Sequence, residues 1–281
     1  MKVVLITGCS SGLGRALARK FHARNFRVFA TAGNPNSIQD LAQEGMRTLP
    51  LDVTSMDSVQ QAVAQVVREA GTVDYLICNA GVSKIGPTAE ADMSDIQAAM
   101  DTNFLGAVRC AQAVTPVMTQ QRSGVIAVTG SVAATLVTPY AGIYSASKAA
   151  VEAIFEALRM ELAPYGIHVS TIQPGAFKSS ISDNNGFNVS KYASSKSLYA
   201  GVTEHMQARA NMSQTEKGGM TAEAVAEQIA HQLCKKQGPP EHFLVAGKAW
   251  YFKFMGFIQT FVWPGLTDRI MRKRFGLSGL W

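Results

Sequence analysis

Short, continuous apolar runs alternate with longer amphipathic segments along most of the chain. Seven runs have the length and residue types of β-strands: residues 2–7, 27–31, 47–51, 73–78, 124–129, 167–172 and 242–245. Five segments between them have the apolar period of helices: residues 13–24, 55–70, 94–120, 142–163 and 221–236. Strands that alternate with helices predict right-handed crossovers and a parallel sheet. Because the strands are apolar throughout, both faces of that sheet should be buried. We therefore predict an α/β fold with a doubly wound parallel sheet in a single domain.

Two segments interrupt this alternation. Residues 176–220 are polar, contain Gly and Met, and separate the sixth predicted strand from the next predicted helix. Such a long insertion in a compact domain is either a functional lid or a disordered loop, and its Tyr and Met residues favour a lid. The pattern predicts a catalytic domain at 1–246, with this lid inside it, and a C-terminal extension at 247–281.

Composition narrows the functional classes. Hydrophobic residues make up 47% of the 281 residues and charged residues 16%, which excludes a disordered tail and a coiled coil. The net charge is +6, but no nucleic-acid reading motif accompanies it, so we expect no nucleic-acid partner. Neither the four Cys nor the five His residues have metal-ligand spacing, so we expect no metal site. The chain starts directly with a strand, and the thiols lie in apolar surroundings, so we expect a cytoplasmic protein.

A glycine-rich stretch, "TGCSSGLGRALA" at 7–18, joins the first strand to the first helix. Gly8, Gly12 and Gly14 permit a tight turn and a close approach of the backbone to a ligand. The helix that follows presents free N–H groups and a partial positive charge at its N-terminus. In this strand–turn–helix context the stretch predicts a dinucleotide phosphate site.

Tyr144 and Lys148 lie four residues apart in "GIYSASKAAVEA", where the neighbouring residues are small. Residues at this spacing share one helix face, so the ammonium should lie close to the phenol. Tyrosine ordinarily titrates near 10, and a neighbouring cation lowers its pKa. The pair therefore predicts a general acid/base that exchanges a proton with an alcohol or a carbonyl oxygen.

The order of these motifs, with "NAG" at 79–81 and Ser131 after the fifth strand, resembles the short-chain dehydrogenase/reductase family over about residues 1–246. The resemblance implies an NAD(P)-dependent oxidoreductase that transfers hydride between a nicotinamide and a carbonyl or secondary alcohol. It implies four catalytic residues: Asn103, Ser131, Tyr144 and Lys148. It implies that Ser131 positions the substrate oxygen and that Asn103 anchors a water leading from Lys148 to solvent. Considered singly, the tyrosine suits a helix core, the serine a cap and the asparagine a solvent-facing position.

The same resemblance assigns the cofactor and substrate contacts. The cofactor residues would be Gly8, Ser10, Ser11, Gly12, Leu13, Gly14, Gly33, Asp52, Val53, Asn79, Ala80, Gly81, Tyr144, Lys148, Pro174, Gly175 and Ser179. Ser179 stands where the family usually has Thr. The substrate residues would be Ser131, Tyr144, Phe177 and Phe187.

The choice of cofactor depends on the end of the second strand. Relatives that use NAD usually place an acid there, and this chain reads "FATAGNPN" at 29–36, without one. Relatives that use NADP often place Arg near the position of Gly33, which is also missing. Arg15 is either a contact for the 2′-phosphate or a solvated helix charge. We expect NADP(H) to be preferred over NAD(H).

The C-terminal extension contains an aromatic stretch at 249–263, which is too short to span a membrane, followed by the basic stretch "DRIMRKRF" at 268–275. Three interpretations remain open: a helix covering the core or a dimer contact, a wall of the substrate pocket, or a peripheral membrane anchor at 249–274. The extension resembles those of hydroxysteroid and retinol dehydrogenases and acyl-dihydroxyacetone-phosphate reductases, which implies a lipophilic carbonyl or alcohol substrate. The family also implies a homodimer or homotetramer.

Two alternative functions use the same motifs. Sugar-nucleotide epimerases also pair Tyr and Lys beside a nicotinamide, but they usually have a different glycine spacing and a longer C-terminal domain. A non-catalytic dinucleotide sensor or scaffold would tend to lose the Tyr or Lys, and both are present here.

Overall fold

A computed structural model of the chain describes residues 1–178, 188–212 and 219–279. Its sheet has seven strands: β1 (Val3–Ile6), β2 (Arg27–Ala32), β3 (Arg47–Pro50), β4 (Tyr75–Cys78), β5 (Gly124–Thr129), β6 (Ile167–Pro174) and β7 (His242–Val245). All neighbouring strands are parallel, in the order β3-β2-β1-β4-β5-β6-β7. The strand order reverses between β1 and β4, and such a switch point opens a crevice at the carboxyl ends of the strands. The predicted doubly wound parallel sheet is confirmed.

Helices cover both faces of the sheet. They are α1 (Gly12–His22), α2 (Gln39–Gln43), α3 (Met56–Ala70), α4 (Met93–Met100), α5 (Gly106–Gln121), α6 (Gly142–Leu162), α7 (Thr203–Ala210), α8 (Ala222–Leu233), α9 (Ala249–Phe257) and α10 (Pro264–Arg274). Val4 and Ile6 of β1 face one apolar cluster, shared with α1 and α8, and Val3 and Leu5 face a second, shared with α3, α5 and α6. Because successive side chains of a strand point to opposite faces, an all-apolar β1 requires both layers.

The helix predicted over 94–120 is present from Met93 to Gln121, but it is not a regular α-helix throughout. The structure has α4, a wider π-turn at Asp101–Leu105 and then α5. Asn103 lies within that turn and is 2% exposed, with hydrogen bonds to a loop of the sheet. Apolar periodicity does not reveal a one-residue widening of this kind, which depends on where one polar side chain finds its partners.

A third, smaller apolar cluster joins part of the predicted lid to the C-terminal extension. Met206 of α7 and Phe275 after α10 are buried together with Tyr140, whose hydroxyl donates to the Phe275 carbonyl at 2.8 Å. Residues 179–187 and 213–218, which belong to the predicted lid, lie outside the described residues. No helix in the described part of the chain is both long enough and apolar enough to cross a bilayer.

Candidate active site

A cavity of about 420 Å³ lies at the carboxyl ends of β1, β4, β5 and β6. Most of the predicted site residues line it: Gly8, Ser10, Ser11, Gly12, Leu13, Gly14, Asn79, Ala80, Gly81, Ser131, Tyr144, Lys148, Pro174, Gly175 and Phe177. Gly33, Asp52, Val53 and Asn103 are not among its lining residues. Ser179 and Phe187 lie outside the described residues.

The glycine loop after β1 is packed against the turn after β4. Gly8 has φ +73°, and a Cβ on Gly14 would lie 2.2 Å from the Gly8 carbonyl oxygen, so both positions require glycine. Thr7 Oγ1 accepts hydrogen bonds from the amides of Asn79 and Ala80, each at 3.0 Å. The Asn79 side chain donates back to the carbonyl oxygens of Thr7 and Gly8, at 3.1 and 3.3 Å. These contacts fix one wall of the cavity.

The N-terminus of α1 forms part of the same wall. Ser11 is the N-cap residue, and its side chain accepts no hydrogen bond from the first-turn amides. Those amides are therefore free of a side-chain cap, in a helix whose dipole favours an anion at this end. Together with the side-chain-free surface at the loop glycines, this arrangement fits the pyrophosphate of a dinucleotide.

The remaining predicted cofactor residues lie at the same edge of the sheet but outside the cavity. Gly33 follows β2 with open space beside it, while Asp52 and Val53 follow β3. Asp52 Oδ1 accepts from the Thr54 amide at 2.9 Å, and Val53 is buried in the core at 7% exposed. Their expected contact with an adenine stays a prediction.

Arg15 is held between the loops after β1 and β2. Its guanidinium donates to Asp40 at 2.7 Å and to the carbonyl oxygens of Ser10 and Ser37 at 2.8 and 2.5 Å. The side chain therefore bridges the two loops that flank the expected ribose position and is not a freely solvated helix charge.

Tyr144 and Lys148 lie in the first two turns of α6, as their spacing predicts. Lys148 is 4% exposed, and its ammonium donates to the Thr129 carbonyl at the end of β5, at 2.7 Å. The same nitrogen lies 5.8 Å from the centroid of the Tyr144 ring. Burial lowers the pKa of Lys148 to about 8, because the charged form loses its hydration.

The expectation that Lys148 lowers the pKa of Tyr144 is not met. Burial raises the pKa of Tyr144, while a hydrogen bond with Ser131 and the positive charge of Arg209 oppose that rise. The Lys148 ammonium is directed to the Thr129 carbonyl, and the cation that lowers the pKa of Tyr144, Arg209, is one that the sequence analysis did not assign. Tyr144 thus keeps its proton at neutral pH.

Ser131 both caps a turn and faces the cavity. Its hydroxyl oxygen accepts from the Ala133 amide at 3.1 Å, and its own amide donates to Glu152 Oε1 at 3.1 Å. The second Glu152 oxygen accepts from Gln173 at 2.6 Å, and Gln173 accepts from the Lys253 ammonium at 2.8 Å. The sequence analysis missed this series of hydrogen bonds, although Glu152 lies one helical turn beyond Lys148 and its spacing places it on the same face of α6.

Asn103 lies behind the cavity wall. Its side chain accepts from the Val82 amide at 2.7 Å and donates to the Val82 carbonyl and the Ser147 hydroxyl, each at 2.9 Å. A Cβ on Gly81 would lie 3.2 Å from Asn103 Oδ1 and 3.7 Å from the Lys148 ammonium, so Asn103 is a close neighbour of Lys148. It fixes the loop after β4, and its expected role in proton movement stays a prediction.

Several residues that line the cavity lie outside the short sequence motifs described above. Arg209 and Met212 come from the predicted lid, Leu136 from the loop after β5, and Phe252 from α9. His205, also in the predicted lid, is exposed and lies beside Gly276, and it is not among the residues lining the cavity. Among the described residues, no three His, Cys, Asp or Glu side chains are grouped to hold a metal ion.

Comparison with known proteins agrees with this geometry. The profile of the family described as short chain dehydrogenase matches residues 2–187. The chain belongs to this family. It is 40% identical to the short-chain dehydrogenase cctT of Talaromyces islandicus, over 65% of each chain. It is also 40% identical to the NADPH-dependent 1-acyldihydroxyacetone phosphate reductase of Schizosaccharomyces pombe, over 64% of this chain and 61% of that protein. Both matches span slightly less than two-thirds of the relative's own length.

The fold of a crystallised member is similar over nearly its whole length. A short-chain dehydrogenase from Streptomyces avermitilis has a TM-score of 0.78 and 27% identity, covering 95% of this chain and 97% of that chain. As a member of the short-chain dehydrogenase family, the protein is an oxidoreductase that binds NAD(P)(H) and acts on a carbonyl or alcohol.

Proposed function

We propose that the protein is an NADP(H)-dependent reductase of a lipophilic ketone, with Tyr144 as the general acid. One observation carries the proposal: Ser131, Tyr144 and Lys148 share a cavity with the glycine loop, and large apolar side chains form much of the remaining wall. These apolar residues are Leu136, Phe177, Met212 and Phe252.

When bound, a nicotinamide cofactor supplies the hydride to the carbonyl carbon. Ser131 and Tyr144 hold the carbonyl oxygen by hydrogen bonds, and Tyr144 transfers its proton to that oxygen as the alcohol forms. The buried Lys148 ammonium stabilises the tyrosinate left behind, because opposite charges attract strongly away from water. One hydride and one proton are consumed for each carbonyl reduced, and a proton from solvent restores the phenol. Oxidation of the alcohol is the reverse.

The structure around Arg15 supports NADP(H) over NAD(H). β2 ends without an acid, and the nearest carboxylate in the following segment, Asp40, is paired with Arg15 and Arg19 at 2.7 and 2.9 Å. A carboxylate neutralised in this way is a poor acceptor for ribose hydroxyls and a weak source of repulsion toward a 2′-phosphate. The Schizosaccharomyces relative is named as NADPH-dependent. Comparing kcat/KM for NADPH and NADH tests the preference, and an equal or higher value for NADH would contradict it.

A substrate panel tests the function itself. We expect NADPH consumption with long-chain acyl ketones, steroids or retinoids, and little with small polyols or sugars. Activity on polyols alone would contradict the lipophilic substrate. A change of cofactor fluorescence on binding, without turnover of any carbonyl, would favour the alternative of a non-catalytic sensor.

The C-terminal extension presents an exposed aromatic face, which we define as Trp250, Phe254, Phe257, Phe261, Trp263 and Ile270. Three of these side chains are more than 60% exposed: Trp250 at 68%, Phe261 at 74% and Trp263 at 64%. Basic residues of α10 continue the same surface, with Arg269, Arg272 and Lys273 exposed. We propose that the aromatic face binds peripherally to an anionic lipid surface, because aromatic side chains suit the headgroup region and basic side chains attract anionic lipids.

Vesicle cosedimentation tests this surface. We expect binding to vesicles that contain phosphatidylserine, weaker binding to phosphatidylcholine alone, and loss of binding in a Phe261→Ser, Trp263→Ser double variant. Light scattering of the same double variant distinguishes a membrane-binding surface from a contact between subunits. If it converts a dimer to a monomer and the wild type ignores vesicles, the aromatic face is a subunit contact and the membrane proposal is wrong.

We also propose a cytoplasmic homo-oligomer. Ile154 and Met160 on α6 and Leu105 before α5 are 37%, 58% and 41% exposed, which leaves apolar side chains for a contact between copies. Cys9, Cys78 and Cys110 are buried and unpaired, as suits a reducing compartment. A monomer by light scattering would contradict the oligomer.

A further inference from the structure

Arg209 is a cation in the wall of an otherwise largely apolar cavity. It lies in the last turn of α7 and lines the cavity together with Tyr144, Thr138 and Phe252. Its Nε donates to the Thr138 hydroxyl at 3.3 Å. Within residues 1–178, 188–212 and 219–279, no carboxylate lies within ion-pairing distance of its guanidinium.

The electrostatic surroundings of Arg209 favour the binding of an anion. Burial and the like charge of Arg274 both lower the pKa of Arg209, although a guanidinium stays protonated in proteins. Arg274 likewise has no ion-pair partner among the described side chains. A largely buried cation without a counter-charge is costly, since it has lost hydration and gained no opposite charge in return. The proton-bearing Tyr144 does not supply that charge in the resting protein.

We propose that Arg209 binds an anionic group of the substrate, a carboxylate or a phosphate, and so makes this protein a reductase of anionic, long-chain ketones. This inference rests on the proposed function, because it places the anion in the cavity that holds the reacting carbonyl. A guanidinium has paired donors that match the two oxygens of a carboxylate or phosphate, and such charge-assisted pairs are the strong ones.

The position of Arg209 also limits where the anion lies in the substrate. Arg209 and Tyr144 line the same cavity, and the charge of Arg209 lowers the pKa of Tyr144. An anion on Arg209 therefore lies in the cavity that holds the carbonyl that Tyr144 protonates. Leu136, Met212 and Phe252 leave apolar wall for the rest of the molecule. The inferred substrate thus has its charge and its ketone in one cavity, together with an apolar chain.

A matched pair of ketones tests the inference. The probes are hexadecanoyl-dihydroxyacetone phosphate and the same ester without phosphate, with NADPH oxidation as the measurement. We expect the wild type to prefer the phosphorylated ketone by about 10- to 100-fold in kcat/KM, the range for one buried charge-assisted contact. Arg209→Gln should lose that preference through KM while reducing the neutral ketone within a few-fold of wild type, and Arg209→Lys should restore part of it. Arg68→Gln, at an exposed arginine of α3 outside the cavity, should behave as wild type.

Two outcomes overturn the inference. One is a wild type without preference for the phosphorylated ketone. The other is an Arg209→Gln variant that loses the same factor on both ketones, which would mean that Arg209 acts only on Tyr144. Binding of octyl phosphate, measured by a thermal shift in wild type and in Arg209→Gln, separates this inference from the proposed function. If neither ketone is reduced but octyl phosphate stabilises the wild type alone, the anion site stands and the ketone reductase does not.

Discussion

At the scale of single residues, the active site depends on how burial redistributes charge. The same burial that raises the pKa of Tyr144 lowers the pKa of Lys148 to about 8, because the charged form is disfavoured in both. Tyr144 therefore holds a proton to donate, while Lys148 holds a charge that is costly to keep. The pKa values of Tyr144 and Lys148 therefore depend on burial as well as on their four-residue spacing.

Replacing Tyr144 by Phe tests the proton donor directly. The ring and its packing remain while the proton is lost, so we expect kcat for ketone reduction to fall by about 10²- to 10⁴-fold with NADPH binding retained. Tyr165→Phe is the matched control, because Tyr165 is 49% exposed and does not line the cavity. Undiminished turnover in Tyr144→Phe would remove the central assignment.

Lys148 should make stability depend on pH in a defined window. Its pKa is about 8 in the folded protein against an ordinary value of 10.5, so between these values the unfolded chain holds more protons and stability rises with pH. Below pH 8 both states are protonated and the full cost of the buried charge is present; above 10.5 it is absent. Relative to Lys148→Met, the wild type should gain on the order of 3 kcal/mol in unfolding free energy across this window. Urea unfolding of both proteins at the two ends of the window measures this, and a constant difference would refute it.

At the scale of elements, α9 is attached to the catalytic loop by polar contacts. Lys253 of α9 donates to Gln173 of β6, which donates to Glu152 of α6, which in turn accepts the Ser131 amide. Burial raises the pKa of Glu152, and the charges of Lys253 and Lys148 are among the influences that oppose the rise. The C-terminal extension is thus connected by hydrogen bonds to Ser131, which lines the cavity.

Removal of the Lys253 ammonium should weaken the hydrogen bond that the Ser131 amide donates to Glu152. In Lys253→Met the pKa of Glu152 should rise further, so the carboxylate is protonated at a higher pH and holds the Ser131 amide less well. We expect a several-fold loss of kcat and an acid limb of the pH–rate profile that moves to higher pH. Lys273→Met, on the exposed side of α10, is the control. An unchanged pH profile in Lys253→Met would show that the contact chain has no influence on catalysis.

At the scale of the whole molecule, the third apolar cluster connects segments that are far apart in sequence. Tyr140 comes from the loop before α6, Met206 from α7 and Phe275 from the end of the chain. α7 also carries Arg209, so this cluster positions the wall of the cavity that α7 forms. The two core clusters on the sheet do not depend on it.

Phe275→Ala should loosen the α7 wall of the cavity and leave the sheet intact. Phe275 is 4% exposed, and truncation of a buried Phe costs about 3–5 kcal/mol. We expect faster proteolysis within 188–212 and 264–279 and a raised KM for the ketone, with the affinity for NADPH retained. Phe261→Ala, at a position 74% exposed, should change neither property. Loss of NADPH binding in Phe275→Ala would show that the cluster supports the whole fold.

The sequence by itself determined the parts of this protein that local rules specify. Apolar runs marked all seven strands: the central strands β1, β4 and β5 are almost entirely apolar because both their faces are buried, whereas the edge strands β3 and β7 expose alternate or terminal residues. The glycines after β1 and the four-residue spacing of Tyr144 and Lys148 are likewise local, since a tight turn and one helix face each involve a few neighbouring residues.

Only the tertiary structure decided which distant side chains meet. The contact chain from Glu152 through Gln173 to Lys253 joins residues 21 and 80 positions apart, and Arg209 reaches Tyr144 from a different segment altogether. The widened turn at Asn103 also depends on a partner, Val82, from another part of the sheet. Burial and charge pairing at such sites are set by packing between elements, and the pKa of Tyr144 follows from that packing. The sequence analysis expected the pKa of Tyr144 to be lowered, and it is raised because packing between elements buries the phenol.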